Sequence, residues 1–296
     1  KCTEAVEVHY YLKKAEPLME AGSEISWDQK IVRMHPVYGG CANDTVTYDV
    51  RENSLSGMTS KEDALDGRTL PWKMVFDRKS GALVSYKVGN SELLKAPLVP
   101  SFDRALNEND YGAGFDKRFA AWRNPDLSAK SFTVEMADLR QYIVTSVYEP
   151  VRGITVTVDY TVWGDGMMYV RESMKVNGEI PSDALHMFRY GMVLAMPGQF
   201  RTLDFLGYGP WENYRDRMSG ALWGHYVQDV NEQYHYGYVR PQESGNHTGI
   251  TVLKVLDAGG NGLMFCGGDP SFEASVLPLS IADMATRNHS LELKAL

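Results

Sequence analysis

The sequence has few cysteines, no basic excess and no long apolar run. Its 296 residues include only three cysteines, Cys2, Cys41 and Cys266, without a C-x-x-C spacing, which excludes a disulfide framework and a zinc knuckle. The formal net charge of −8 argues against nucleic-acid binding, which needs a basic face. Because no run of about 18 apolar residues occurs, we expect no membrane span. We expect Cys266 to be a small buried side chain.

The densest mixture of aromatic, charged and turn-forming residues lies between Gly207 and Thr248. Gly207, Gly209 and Pro210 predict a constrained backbone, since Gly reaches positive φ and Pro fixes φ. Two interpretations stay open: a sugar site built from rings, carboxylates and guanidinium groups, or a rigid loop held by internal Arg–carboxylate pairs. The candidate residues of this motif loop are Trp211, Glu212, Asn213, Tyr214, Asp216, Arg217, Arg240 and Glu243.

Two segments carry a resemblance to a known family. Gly209-Pro-Trp-Glu-Asn-Tyr-Arg-Asp-Arg217 resembles the G-P-x-E-N-Y-x-D-R motif in the C-terminal region of the large β-galactosidases of glycoside hydrolase family 2. Tyr238-Val-Arg-Pro-Gln-Glu-Ser-Gly-Asn246 matches that region's Y-V-x-P-Q-E-x-G-N at the expected distance downstream. The resemblance implies an all-β fold, a galactose-mutarotase-like β-supersandwich of antiparallel sheets. It also implies a β-galactoside or galactose as ligand, a TIM-barrel catalytic domain as partner, and a homo-oligomeric parent in the bacterial cytoplasm or periplasm.

The chain is predicted to contain three parts. Residues 1–33 alternate as two strands, and their A-G-x-x-x-x-W-x-Q pattern resembles the last strands of the family's immunoglobulin-like linker domain. Residues 34–70 are predicted to be a linker with an entry strand. Residues 71–296 are predicted to be the β-supersandwich domain. The resemblance implies that it lacks the family's last strands, including the tryptophan on which galactose stacks.

Alternating apolar and polar residues predict antiparallel strands through the third part, and no comparable helical pattern occurs. A hairpin is predicted from Lys73 to Val88, followed by a loop from Gly89 to Leu98 and a later strand that begins at His186. The other predicted strands are residues 132–136, 141–148, 154–162, 168–176, 250–256 and 263–266.

A second polar stretch runs from Phe102 to Gly112 and resembles the family's F-x-R-A-P-x-D-N-D-x-G. Leu106 replaces the family's proline, and Glu108 replaces its first aspartate. The resemblance implies a substrate-pocket rim, to which the mobile loop after residue 88 also contributes. The alternative is that Asn and Asp side chains rigidify the loop through local backbone hydrogen bonds. The rim residues so implied are Gly89, Asn90, Arg104, Asn109 and Asp110.

The chain alone is not expected to hydrolyse a glycoside. A retaining glycosidase needs two carboxylates about 5 Å apart, and in the family both are glutamates on a TIM barrel that a mostly β chain does not supply. We therefore expect no catalytic residue, no metal site and no cofactor here, although the family's catalytic domain commonly uses Mg and Na ions.

Two alternative functions stay open. One is an aldose 1-epimerase, which needs a histidine acid and a glutamate base facing one sugar. Its candidate groups are His186, His225 and His235 with Glu212 or Glu243. The other is a non-catalytic carbohydrate-binding module with stacking residues Trp211, Tyr214, Trp223, Tyr234 and Tyr236.

Overall fold

The computed structural model describes residues 4–33, 45–59, 69–267 and 271–295. Within these ranges the chain forms nineteen strands and three α-helices of at most five residues, which confirms the predicted all-β fold. Contacts divide it into two compact units: residues 1–38, 201–235 and 244–278 form the first, and residues 39–200, 236–243 and 279–296 the second. In the described part, no helix is long and apolar enough to span a membrane.

The elements follow one another with short connections. Up to residue 101 they are β1 (Glu4–Tyr11), β2 (Glu24–Arg33), β3 (Thr47–Asp49), β4 (Ser54–Met58), β5 (Pro71–Phe76), β6 (Leu83–Val88), β7 (Ser91–Glu92) and β8 (Ala96–Ser101). Then come α1 (Glu108–Gly112), α2 (Phe115–Arg118), β9 (Ala129–Asp138), β10 (Gln141–Val151), β11 (Ile154–Trp163), β12 (Met168–Val176) and β13 (Gly191–Ala195). The last are β14 (Thr202–Gly209), β15 (Leu222–Asp229), β16 (Asn246–Ile250), β17 (Val252–Leu256), β18 (Gly262–Cys266), β19 (Phe272–Ser275) and α3 (Ile281–Ala285).

The second unit contains two antiparallel sheets that pack face to face. One has the strand order β12-β11-β10-β9, and the other the order β13-β8-β6-β5-β4-β3 with β7 beside β6. The four long alternating runs and the hairpin predicted from the sequence are confirmed as β9 to β12 and as β5–β6. Strict alternation lets each strand bury one face and leave the other in water.

Large side chains from both sheets fill the core of this unit. The Phe76 and Tyr160 rings meet edge to face with centroids 5.3 Å apart, and Tyr160 is fully buried. Trp72 is 2% exposed, and its indole N–H donates to the carbonyl of Gly164 over 2.8 Å. Each large apolar side chain buried in this way contributes about 1.5–3 kcal/mol.

Three segments of the second unit differ from the prediction. The predicted loop from Gly89 to Leu98 contains β7 and the start of β8, because the Glu92 carboxylate accepts hydrogen bonds from the backbone N–H groups of Tyr86 and Leu94. The segment from His186 to Tyr190 is not a strand; the Phe188 and His186 rings pack on Phe119 instead. The strand begins only at residue 191.

The short helices were also not predicted, because they last barely one turn and have no hydrophobic periodicity. Each of α1 and α3 begins with a capping box. Asn107 and Asp110 exchange side-chain and backbone hydrogen bonds at the start of α1, and Ser280 and Asp283 do the same at α3. A capping box satisfies two backbone N–H groups that a helix start leaves unpaired, so it stabilises a helix at this length.

The first unit contains the antiparallel sheet β15-β14-β17-β18 and the strand pairs β16–β19 and β1–β2. Leu203, Phe205, Leu253 and Val255 form one buried face of the four-stranded sheet. Cys266 lies on the opposite face of the edge strand β18 and is exposed, so the expectation that it is buried is wrong. An edge strand has a neighbour on one side only, which leaves its outward side chains in solvent.

The β1–β2 hairpin is attached to the first unit through Gln29. Its side-chain amide donates to the backbone carbonyl of Trp223 over 2.6 Å and accepts from the Trp223 N–H over 2.7 Å. This pair of bonds occupies backbone groups that a sheet edge leaves open. Assignment of the hairpin to an immunoglobulin-like domain stays a prediction, as do the boundaries after residues 33 and 70. Most of the predicted linker lies outside the described residues.

Candidate functional site

Asn213 is the centre of the motif loop in the first unit. Its amide N–H groups donate to the carbonyls of Tyr208 and Trp211 over 2.8 and 3.1 Å, and its carbonyl accepts from the N–H and hydroxyl of Thr248 over 3.0 and 2.6 Å. The residue is 1% exposed. Because a buried amide has two donors and two acceptor positions, every one of them is satisfied here. Asn213 therefore fixes the loop and is not open to a ligand.

Glycine starts this loop for reasons of space. Neither Gly207 nor Gly209 has a positive φ, contrary to the reason given for them from the sequence. A Cβ on Gly209 would lie 2.8 Å from the ring of Tyr226, closer than real contacts allow. The Gly209–Pro210 peptide bond is cis.

Glu212 and Arg217 close the loop through a charged hydrogen bond. The Arg217 Nη2 donates to Glu212 Oε1 over 2.8 Å, while the other carboxylate oxygen accepts from the backbone N–H of Gly245 over 2.7 Å. The guanidinium also lies over the Tyr214 ring, 5.2 Å from its centroid. These contacts match the rigid-loop interpretation, in which Arg–carboxylate pairs hold the backbone. Asp216 is exposed.

His247 lies behind the loop with both ring nitrogens engaged. Nδ1 is 3.1 Å from the carbonyl of Tyr208, and Nε2 is 3.0 Å from the side-chain oxygen of Gln233. The ring packs on Phe205 at a centroid distance of 4.4 Å. Burial lowers the pKa of His247, and the Tyr208 carbonyl and the charge of Glu212 oppose that effect. The histidine supports the loop from within the core.

The aromatic residues proposed as a stacking surface do not form one. Trp223 and Tyr234 are 6% and 2% exposed, so neither can stack on a sugar, and that part of the expectation is wrong. Trp211 is 79% exposed and presents its ring to solvent. In the second unit, the Tyr236 ring is covered by Lys294, whose Nζ lies 5.1 Å from the centroid.

Arg104 is the centre of a cluster in the second unit. Its Nη1 and Nη2 atoms bind the two oxygens of Asp110 over 2.8 and 2.9 Å, and its Nε lies 3.2 Å from Glu243 Oε2. Arg189 donates to the other oxygen of Glu243. Asp110 also accepts from the backbone N–H of Asn107 over 2.9 Å. The cluster fastens three separate segments together.

Burial raises the pKa of Glu243, and the charges of Arg189 and Arg104 oppose that rise. Its backbone N–H donates to the carbonyl of Ala105 over 3.1 Å, which holds the second motif beside the segment that leads into α1. Breaking a buried ion pair by removing one partner costs about 3–5 kcal/mol, because the remaining charge is left uncompensated. We therefore expect this cluster to be a strong structural constraint.

A family model described as the β-galactosidase small chain matches residues 68–296. This chain belongs to the β-galactosidase small-chain family.

Known β-galactosidases are similar to this small-chain member over most of its length. The enzyme of Lactobacillus delbrueckii subsp. bulgaricus is 31% identical over 229 residues, 75% of this chain and 22% of that protein. The Streptococcus thermophilus enzyme is 30% identical over 226 residues, again 75% and 22%. The Halalkalibacterium halodurans enzyme is 27% identical over 286 residues, 95% of this chain and 27% of that protein. The chain thus spans about a quarter of the length of these relatives, which are parts of larger enzymes' size class.

The structure brings only some of the predicted small-chain site residues together. Arg104, Asp110 and Glu243 form one cluster, while Asn109 is exposed on α1 beside it. Gly89 lies in the tight turn after β6 with φ +57°. Across the described ranges, no hydrogen bond or ion pair joins residues 89 and 90 to this cluster. The rim role of these residues stays a prediction.

Arg240 lies beside the cluster, with its guanidinium 4.2 Å from the centroid of the Tyr111 ring. A planar guanidinium over a ring face is a favourable cation–π contact worth about 0.5–1 kcal/mol at an exposed site. An open cavity of about 320 Å³ lies next to it, lined by Asn107, Glu108, Asn109, Tyr238, Val239, Arg240 and Gln242.

Sequence reasoning missed several of the residues that organise the two loops. Asn107 was recoverable, because Asn-x-x-Asp before a short helix is a capping-box pattern. Thr248 and Gln233 carry no local signal, since their partners lie 35 and 14 residues away in the chain. Within the described residues, no three His, Cys, Asp or Glu side chains are placed to hold a metal ion together.

Proposed function

We propose that this chain is the part of a β-galactosidase that shapes and closes the sugar pocket of a catalytic domain located elsewhere in the parent enzyme. The reaction of the parent is hydrolysis of terminal β-D-galactosides such as lactose. Binding of the galactoside and a homo-oligomeric parent belong to the same proposal. The similarity to β-galactosidases roughly four times as long supports it.

The observation that carries the proposal is that the carboxylates of both family motifs already have partners. Glu212 accepts from Arg217 and from the Gly245 N–H, and Glu243 lies between two arginines. A glycosidase acid or nucleophile must be free to protonate or attack the sugar. Groups engaged in this way position loops, so their role in the parent is to hold pocket walls in place.

The epimerase alternative has no comparable support. Its candidate glutamates are those same two engaged carboxylates, and the exposed His225 pairs with Asp204 over 2.8 Å. His186 packs on the Phe119 ring. A histidine acid and a glutamate base that face one sugar are needed for that reaction. Mixing this chain with pure α-galactose and following optical rotation is the direct check on it.

The test of the proposed function is hydrolysis of a nitrophenyl β-galactoside. The chain, the barrel-containing part of the same parent, and their mixture are assayed separately. We expect no turnover by this chain alone and a higher rate for the mixture than for the barrel part. Turnover by the chain alone, or a mixture no faster than the barrel part, would contradict the proposal.

A matched pair of variants links the rate to the Arg104 cluster. Arg104→Ala removes the group that joins Asp110 to Glu243 and is expected to lower the rate of the mixture. Glu135→Gln, at an exposed position on β9, serves as the control and is expected to behave like the unmodified chain. Equal rates for both variants would show that the cluster does not support the pocket.

A further inference from the structure

We propose that the cavity beside α1 is an accessory saccharide-binding site of the second unit. It is formed by Asn107, Glu108 and Asn109 on one wall and by Tyr238, Val239, Arg240 and Gln242 on the other. The proposal rests on the proposed function for the class of ligand. It adds a site that binds sugar without taking part in bond cleavage.

The size of the cavity suits a small sugar. Its volume is about 320 Å³, at the lower end of the range of about 300–1,000 Å³ that small-molecule sites span. One or two pyranose rings occupy such a volume. The mouth is open, which leaves room for a longer saccharide to extend into solvent.

The chemistry of the walls favours a neutral ligand rich in hydroxyl groups. Asn107, Asn109 and Gln242 contribute amides, which carry both donors and acceptors, as a sugar hydroxyl requires. Glu108 and Arg240 bring one negative and one positive charge, so the lining has no net charge to select an ion. Val239, 73% exposed, offers an apolar patch of the kind that a pyranose face contacts.

Other ligand classes fit less well. An anion would meet the carboxylate of Glu108, and a divalent cation would find that single carboxylate beside the positive charge of Arg240. A flat aromatic ligand would find few apolar walls and no open ring face, because Arg240 covers the nearby Tyr111 ring.

Both walls are held in place before any ligand arrives. The capping box fixes Asn107, with the Asp110 N–H donating to its side chain over 2.9 Å. The carbonyl of Val239 accepts from the N–H of Ser290 over 2.9 Å, and the Glu243 N–H joins the two walls through Ala105. A preformed site spends little free energy on ordering its own side chains when it binds.

The experiment is a titration of the isotope-labelled full chain with methyl β-galactoside and with lactose, followed by NMR. We expect saturable shifts of the backbone amides of residues 107–109 and 238–242, with a dissociation constant on the order of millimolar. Asn109→Ala and Arg240→Lys should each weaken binding about tenfold, since each loses hydrogen bonds to the ligand. The control is Arg201→Ala, at an arginine of the first unit whose side chain is 61% exposed.

The possible outcomes separate this inference from the proposed function. Absence of saturable shifts, shifts confined to other residues, or affinities unchanged in both cavity variants would overturn the saccharide site. Displacement of the sugar by sulfate at constant ionic strength would overturn the neutral-ligand assignment. If the unmodified chain raises the rate of the barrel part but binds no sugar, only the cavity inference fails. If it binds sugar without raising that rate, only the proposed function fails.

Discussion

Glu172 offers the sharpest test of how this fold responds to pH. The residue lies on the edge strand β12, and the alternation of that strand turns its side chain toward the same side as Val170 and Met174, facing the core. Burial raises the pKa of Glu172 to about 8, from an ordinary value of 4.5. One of its carboxylate oxygens and the hydroxyl of Tyr160 have no hydrogen-bond partner among the described residues. A carboxyl in this position is protonated in the folded state near neutral pH.

The direction of the effect follows from proton binding. As pH rises above 4.5, the unfolded chain releases this proton, while the folded chain keeps it until about pH 8. The unfolded state therefore binds fewer protons in that window, and the contribution of Glu172 to stability falls as pH rises. The full difference corresponds to at most about 5 kcal/mol at 1.36 kcal/mol per pKa unit. Because the side chain is partly exposed, solvent screening lowers our expectation to about 2–3 kcal/mol.

Replacing Glu172 with glutamine removes the titration and keeps the shape. We expect Glu172→Gln and the unmodified chain to have similar stability near pH 5, and the variant to be about 2–3 kcal/mol more stable near pH 8. Urea unfolding followed by tryptophan fluorescence at several pH values measures this difference. Other carboxyls titrate in both proteins, so subtracting the two curves isolates Glu172.

Glu135→Gln is the matched control, because Glu135 is exposed on the opposite edge strand of the same sheet. It should leave the pH dependence of unfolding nearly unchanged. If Glu172→Gln has the same pH slope as the unmodified chain, the carboxyl is ionised in the fold and the reasoning from burial is refuted.

Three further predictions concern the two loop-fixing networks. Asn213→Ala should destabilise the chain by about 3–4 kcal/mol, because it leaves buried backbone and hydroxyl partners unpaired; thermal unfolding would show this, and a loss below about 1 kcal/mol would contradict it. Gly245→Ala should be destabilising by at least about 1–3 kcal/mol, since φ is +72° and the new Cβ would lie 2.5 Å from the Gln233 carbonyl; unchanged urea unfolding would count against this geometry. Arg104→Ala should cost about 3–5 kcal/mol, and adding Glu243→Gln to it should recover part of the loss, which a double-mutant cycle measures; simple additivity would show that the two residues are not coupled.

Alternation in the sequence was enough to predict the strands that bury one face. The runs from Gln141 to Tyr148 and from Ile154 to Val162 became β10 and β11 because a period of two has only one regular solution, a half-buried strand. The segment from His186 to Tyr190 has a similar composition but is not a strand, because its rings are taken up by contacts with Phe119 and Phe102. Such contacts join residues more than 60 positions apart, which no local pattern reveals.

The candidate site shows the same division. The sequence by itself determined the family, through two motifs whose residue types and spacing are read directly from the chain, and it identified Arg104, Asp110 and Glu243 as candidates. Only the tertiary structure decided that these three bind one another, that Asn213 is fully satisfied inside its loop, and that Trp223 is buried. The physical reason is that charge and hydrogen-bonding capacity are properties of a residue. Whether they are spent on the protein or offered to a ligand depends on the partners that folding brings within about 3 Å.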